Sequence, residues 1–300
     1  MFNQKILTSF KNHTYDNDTN AYDFYLEKKN ALEKFYSVIP NEYFSLIEEE
    51  IILALESDLA KNPKDFANIM RKVVHALVEI PYLAQVLFDL SADKTLQKEK
   101  FISSLLHDIG HFKQYLTIQS FNNFKYDHCI KGAEVFKQKL LDHKISKNNI
   151  TDITYIVILD HGATTVANED PDTIKCLYFL RNIDQISSME AWDRNQRKVI
   201  ENDKNGWGLA RKGYSKKVLD IFLSSKAVNY KYRKTVADAM ICYLAFIYDF
   251  YYKEALQLVL NEKMLENIIR CIPPFLEEED MGIIEVIRDH LDKHSRSILS

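Results

Sequence analysis

Turn-forming residues are scarce, with 7 glycines and 6 prolines among 300 residues. Folds made of many short strands need such punctuation at close intervals. The scarcity therefore excludes a turn-dense β architecture and favours long helices with short connections. Cysteine is sparse too. Cys129, Cys176, Cys242 and Cys271 stand far apart, form no CxxC pair and give no disulfide framework, which suits a reducing compartment. No sign of charge dominates: 39 basic against 43 acidic residues leave a net charge of −4. Without a global basic field, long nucleic acid is a disfavoured partner, although a local basic patch stays open. Long apolar runs are missing as well. The N-terminal stretch MFNQKILTSFKNHTYDNDTN holds no continuous signal core. The most apolar run towards the other end, 239–248, stops at Asp249 and is too short to span a bilayer. The expectation is a soluble, cytoplasmic protein with no membrane partner.

What is present is helical periodicity. Phe24, Tyr25, Leu32, Phe35 and Tyr36 recur at helical spacing over 21–38. Pro40 opens a second helix reaching about residue 59, and Pro63 opens a third with Phe66, Ile69, Met70, Val73, Leu77 and Ile80 as its stripe. Pro81 is expected to break or kink that helix. Further helices are read over 97–106, from Asp127, from about 148, over 172–191, over 235–260 as a core helix or helix pair, and over 281–299. Residues 113–125 read as a loop with a short helical piece, a candidate lid or substrate wall, and 193–213 as a long polar connection. The chain is expected to comprise an N-terminal helical extension (1–62), a metal-binding core (63–195) and a C-terminal helical region packed on that core (196–300).

Six of the nine histidines lie between His75 and His161, and Gly110, Gly132 and Gly162 fall among them. His107 and Asp108 are adjacent where an apolar helical run stops. Neighbours on a helix do not share a face, but they converge on one ion if the helix is ending, and Gly110 is expected to supply the turn that ends it. His75 sits about 200° from the centre of its helix's stripe, which by itself describes a partly exposed helical histidine. His128 opens a helix and has Gly132 on its face, where backbone or ligand can come close. His161 stands at a helix end with Gly162 as its expected cap, and a histidine there also simply favours the helix dipole. Asp184 follows Leu177 and Leu180 and precedes Ser187, Ser188 and Ala191 on one stripe. An inward-facing carboxylate needs a partner, and small neighbours leave room for a cation.

The ordered set His75, His107-Asp108 and Asp184 resembles the H…HD…D signature of the HD-domain metal-dependent phosphohydrolases. HDIGHFKQY, a phenylalanine-containing loop and DHCIKGAEVF are similar to a bacterial subgroup reading HDIGRFEQ…F…DHA..G. ILDHG, LRNIDQI and the later TVADAMICYLAFIYDFYYKEAL continue the likeness over roughly 66–290. The resemblance implies an all-α HD-domain helical bundle with N- and C-terminal helical extensions. It implies His75, His107, Asp108 and Asp184 as primary metal ligands, with His128 and His161 as next candidates for a second metal or the substrate phosphate. Asp108, His111 and Arg181 would serve catalysis. His111 departs from the basic residue usual there, and would contact phosphate only when protonated or by a neutral N–H bond. LRNIDQI keeps Arg181 and Asp184 but places Gln185 where the subgroup has a base.

A mixed imidazole and carboxylate set suits Mn, Fe, Ni, Co or Zn better than an all-oxygen ion, with Mg also in range and one or two ions held. Such an ion polarises a phosphoryl oxygen and activates water. The leading expectation is hydrolysis of a small phosphate ester, a nucleotide by class. A second reading is a phosphodiesterase or nuclease on cyclic nucleotides or single strands, guided by Lys113, Lys125, Lys131, Lys137 and Lys139. A third is a non-catalytic metal or nucleotide sensor, with the aromatic C-terminal helices forming a partner or homodimer interface.

Overall fold

The computed structural model describes residues 2–15, 20–120, 127–163, 170–201 (backbone only beyond Ala191) and 209–299. The fold is all-α: among the described residues there is no strand, only two isolated bridges, Thr14 with Asn20 and Ala210 with Thr235. The chain divides into two compact units, 1–183 and 184–300.

The first unit contains α1 (Gln4–Lys11), α2 (Ala21–Val38), α3 (Asn41–Glu56), α4 (Pro63–Val74), α5 (Ile80–Leu90), α6 (Gln97–Leu106), α7 (Ile109–Ile118), α8 (His128–Asp142), α9 (Asn149–Asp160) and the start of α10 (Pro171–Glu201). Local chemistry sets several of these starts. Asn62 accepts from the backbone N–H groups of Lys64 and Asp65 ahead of Pro63 at the first helical turn, and Asp127 accepts from Cys129 and Ile130. Asn148 and Thr151 form a reciprocal capping box for α9. The core is aromatic and aliphatic: Phe10, Leu32, Phe35, Phe101 and Phe136 are fully buried, and Phe35 stacks on Phe101 with centroids 4.5 Å apart. α7 packs on α8, α8 on α9, and α9 on α6, so the ends of these helices meet around the histidines.

Two connections differ from the sequence reading. Pro81 does not break its helix. Between α4 and α5 the chain makes a π-turn over His75–Glu79, and the helix runs on through Pro81. Proline cannot donate to Leu77 O, the carbonyl four residues earlier. The Tyr36 hydroxyl donates to that carbonyl instead, at 2.8 Å. The continuous span Pro63–Leu90 is long and apolar enough to cross a membrane, but 72% of its apolar window is buried inside the protein. Core packing accounts for its hydrophobicity without a bilayer. The second difference is α10, which continues to Glu201 through the stretch read as a connection.

The second unit holds the rest of α10, then α11 (Lys216–Leu223), α12 (Val236–Leu244), α13 (Lys253–Asn261), α14 (Met264–Cys271) and α15 (Ile283–Leu299). The stretch 235–260 is a helix pair, α12 and α13, joined by a 3-10 turn. Fully buried Asp238 ties the unit's loops to α12, accepting from the Ser215 N–H and hydroxyl, each at 2.6 Å, and from Lys234 and Thr235 N–H.

Candidate metal centre

Asp108 is the hub. It is 4% exposed and lies in the two-residue turn between α6 and α7. The Nε2 atoms of five histidines surround its carboxylate: His75 at 3.4 Å, His111 at 3.4 Å, His107 at 3.5 Å, His128 at 3.8 Å and His161 at 3.9 Å. Lys72 completes the ring, its ammonium donating to Oδ2 at 2.9 Å.

Each side chain is brought by a different local device. The π-turn carries His75, and such turns gather at functional sites. His75 is partly exposed, as its angle from the stripe implies, with Ala76, Leu77, Val78 and Glu79 all buried behind it. His107 and His111 flank Asp108 at the α6–α7 junction. Gly110 does not end a helix there. It lies within α7, and a Cβ on it would stand 2.3 Å from the His128 carbonyl and 2.6 Å from the Gly132 nitrogen. Gly110 thus lets α7 touch α8 backbone to backbone, which sets His111 flat against His128, ring centroids 4.0 Å apart and planes 8° off parallel. His161 closes the ring from the end of α9. Gly162 after it is not a left-handed cap, since the only described glycine at positive φ is Gly213.

Four of the five rings are fixed through Nδ1. His75 meets Glu79 Oε2 at 3.0 Å, His107 the Ser104 carbonyl at 2.8 Å, His111 the Gln114 amide oxygen at 2.8 Å, and His161 the Ile158 carbonyl at 2.8 Å. Each partner accepts, so each Nδ1 carries the hydrogen, and a neutral ring then turns its Nε2 lone pair towards Asp108. This outer set of acceptors is how proteins orient metal-ligating histidines. Burial pushes His111 well below the ordinary histidine pKa, and it lowers His128 to about 3 with help from His161. Burial would also lower His161, but the neighbouring Cys129 outweighs it and the net shift is upward. Asp108 is held well below the carboxylate range: burial opposes this, while His107, His111, Lys72 and His75 impose it. The Nε2 lone pairs of neutral His111 and His128 and the carboxylate of Asp108 repel one another, and a cation relieves that repulsion.

Three groups of donors have ligand atoms within 4.8 Å of one another: His75, His107 and Asp108; Asp108, His111 and His128; and His128, Cys129 and His161. Each group could hold a metal ion, and the donor chemistry fits a divalent one. Neither Asp184 nor Arg181 belongs to these groups. Asp184 is half-buried rather than sequestered and opens the second unit, where it adds to the burial that raises the Tyr230 hydroxyl well above its usual pKa. Arg181 donates to the Ala163 carbonyl at 3.0 Å, just past His161 and Gly162, and lies over the Tyr178 ring. Among the lysines read as guides for a nucleic-acid backbone, Lys131 pairs with Glu134 at 2.8 Å and Lys139 with Glu49 at 2.7 Å. Of the stretch read as a lid, 113–118 is helix α7, whereas Phe121, Phe124 and Lys125 lie outside the described residues.

Sequence reasoning missed Lys72, Glu79, Gln114 and Cys129. The signals were local: Lys72 and Glu79 stand three before and four after His75, Gln114 three after His111, and Cys129 beside His128. No family model, curated protein or solved structure matches this chain.

Proposed function

We propose that the protein is an HD-type metal-dependent phosphohydrolase acting in the cytoplasm on a small phosphate ester, a nucleotide by class. The observation that carries the reading is the convergence of five imidazole Nε2 atoms on the single buried carboxylate of Asp108. His75, His107 and Asp108 would hold one divalent ion, and His128 and His161 a second. Mn, Fe, Ni, Co, Zn and Mg are the candidates by donor type. A bound ion supplies Lewis acidity towards a phosphoryl oxygen and activates water as the nucleophile. The chain's own groups position these partners. Asp108 offers an oxygen to each side of the centre, Oδ2 towards His75 and Oδ1 towards His107, His111, His128 and His161.

His111 supports this as a further imidazole donor, because Gln114 takes its Nδ1 hydrogen and burial keeps it neutral. The positive charge that a phosphate needs comes instead from Lys72, whose ammonium reaches the same carboxylate and carries three donors. Arg181 supports the turn that follows α9 at His161 by donating to the Ala163 carbonyl.

The test is turnover of a nucleotide panel by purified protein supplied with Mn²⁺, in parallel with Asp108→Ala. Release of phosphate or a nucleoside by the wild type, lost by at least about 10³-fold in the variant, is expected for removal of a centre on which the chemistry depends. No turnover of any phosphoester by metal-loaded protein overturns the reading. Cleavage confined to cyclic nucleotides or labelled RNA replaces it with a phosphodiesterase.

A further inference from the structure

We propose that His128, Cys129 and His161 form a thiolate-bearing metal position that selects a borderline-soft ion, zinc above all, over Mg²⁺ and Mn²⁺. The proposal rests on the metal-centre part of the reading above and adds a ligand and a metal class to it.

Geometry is the first support. His128 Nε2 and His161 Nε2 are 3.2 Å apart, and Cys129 Sγ is 3.5 Å from the first and 3.7 Å from the second. A tetrahedral zinc ion with Zn–N of about 2.05 Å and Zn–S of about 2.3 Å has edges of roughly 3.3 Å between nitrogens and roughly 3.6 Å between nitrogen and sulfur. The three donors thus already stand at the corners of such a polyhedron. Asp108 Oδ1 stands 3.8 Å from His128 Nε2 and 3.9 Å from His161 Nε2.

Packing is the second support. A Cβ on Gly162 would stand 2.9 Å from Cys129 Sγ, so the glycine directly after His161 leaves the space the sulfur occupies. Cys129 is buried, and its sulfur points between two imidazoles that are themselves metal donors. Softness is the third. The group of His75, His107 and Asp108 offers only nitrogen and oxygen, which harder ions accept, whereas a thiolate favours zinc and its softer neighbours. Ligation replaces the Sγ–H bond by a metal–sulfur bond, and the proton leaves to solvent.

The full chain, stripped with chelator and titrated with Co²⁺ as a zinc probe, gives a readout independent of turnover. A thiolate-to-cobalt charge-transfer band in the near ultraviolet is expected in the wild type and in His75→Ala, but not in Cys129→Ser or Cys129→Ala. Elemental analysis after zinc loading should show one equivalent fewer in the Cys129 variants. Far-ultraviolet circular dichroism establishes that they are folded, and the wild-type band tests ligation without any variant. Cobalt bound without that band overturns the thiolate position and leaves the His75, His107 and Asp108 group standing. No cobalt or zinc bound at all overturns both.

Discussion

At the scale of single residues, the centre depends on what holds each ring from behind. Glu79 is 4% exposed, lies one π-turn beyond His75 and takes its Nδ1 hydrogen. Its carboxylate makes the ring a better donor and fixes its tautomer, an effect that in metal sites amounts to about 10–100-fold in affinity. Glu79→Gln keeps an acceptor but removes the charge, and Glu79→Ala removes both. We expect metal affinity, measured by calorimetric titration of stripped protein, to fall about tenfold in the first and towards about 100-fold in the second. Equal affinity in all three proteins would mean that the His75 ring is oriented by packing alone. Lys72 acts differently. It meets the ligand Asp108 with a positive charge of its own rather than fixing an imidazole tautomer, so its removal should alter substrate affinity more than metal content.

At the scale of elements, the convergence relies on two glycines in facing helices. The α7–α8 contact is backbone on backbone, and the two positions tolerate a methyl group very differently. At Gly110 a Cβ meets a carbonyl oxygen at 2.3 Å and the Gly132 backbone at 2.6 Å, and neither can move without separating the helices. At Gly132 the nearest atom is a methyl of Ile158 at 3.0 Å, a side chain that can yield by a few tenths of an ångström, and the Gly110 nitrogen follows at 3.3 Å, a far milder conflict than at Gly110. Overpacking a core costs about 1–3 kcal/mol, and more where backbone must shift. Gly110→Ala should therefore lose about 3 kcal/mol or more in urea unfolding, with weakened metal binding, and Gly132→Ala about 1 kcal/mol. The reverse order would refute the packing account. The helices themselves were legible in the sequence, since stripes such as Ile69, Met70, Val73 and Leu77 and starts such as Asn62-Pro63 encode them locally. So was the cluster around His107-Asp108. The function of the glycines was not legible, because Gly110 meets Gly132 and Gly162 meets Cys129 only once distant segments pack. The π-turn was hidden for a related reason: the Leu77 carbonyl that Pro81 leaves without an amide donor is met by the Tyr36 hydroxyl, 41 positions before it.

At the scale of the whole molecule, a nearly balanced surface charge surrounds a centre whose protonation is far from ordinary, and pH should expose the difference. In protein stripped of metal, His111 is held well below the usual histidine value and His128 at about 3. The unfolded chain takes up these protons below about pH 6.5, whereas the folded chain refuses them. Stability therefore falls as pH drops from about 6.5, by up to about 1.4 kcal/mol per pH unit for each such group. His161 is shifted upward and works in the opposite sense, its contribution being complete below the unfolded value and lost as pH rises through the folded one. Two groups against one leave a net loss on acidification. A separate limb at lower pH belongs to depressed carboxylates, Asp108 and also Asp93 in the α5–α6 connection. Burial opposes the ionisation of Asp93, but hydrogen bonds from Thr95 and the charge of fully buried Lys100 hold it at about 2. Its contribution is present above the normal carboxylate value and disappears between about pH 4 and about pH 2. Thermal midpoints of stripped protein should decline from pH 6.5 downwards, and Asp93→Asn should lower the midpoint at neutral pH and shrink the fall below pH 4 while leaving the decline between pH 6.5 and pH 5 in place. At neutral pH, ion at 100 times its Kd should add about 2.7 kcal/mol, because the donors meet only in the folded chain. A midpoint that is level between pH 7 and pH 5 in stripped protein would show that His111 and His128 are not held neutral beside Asp108.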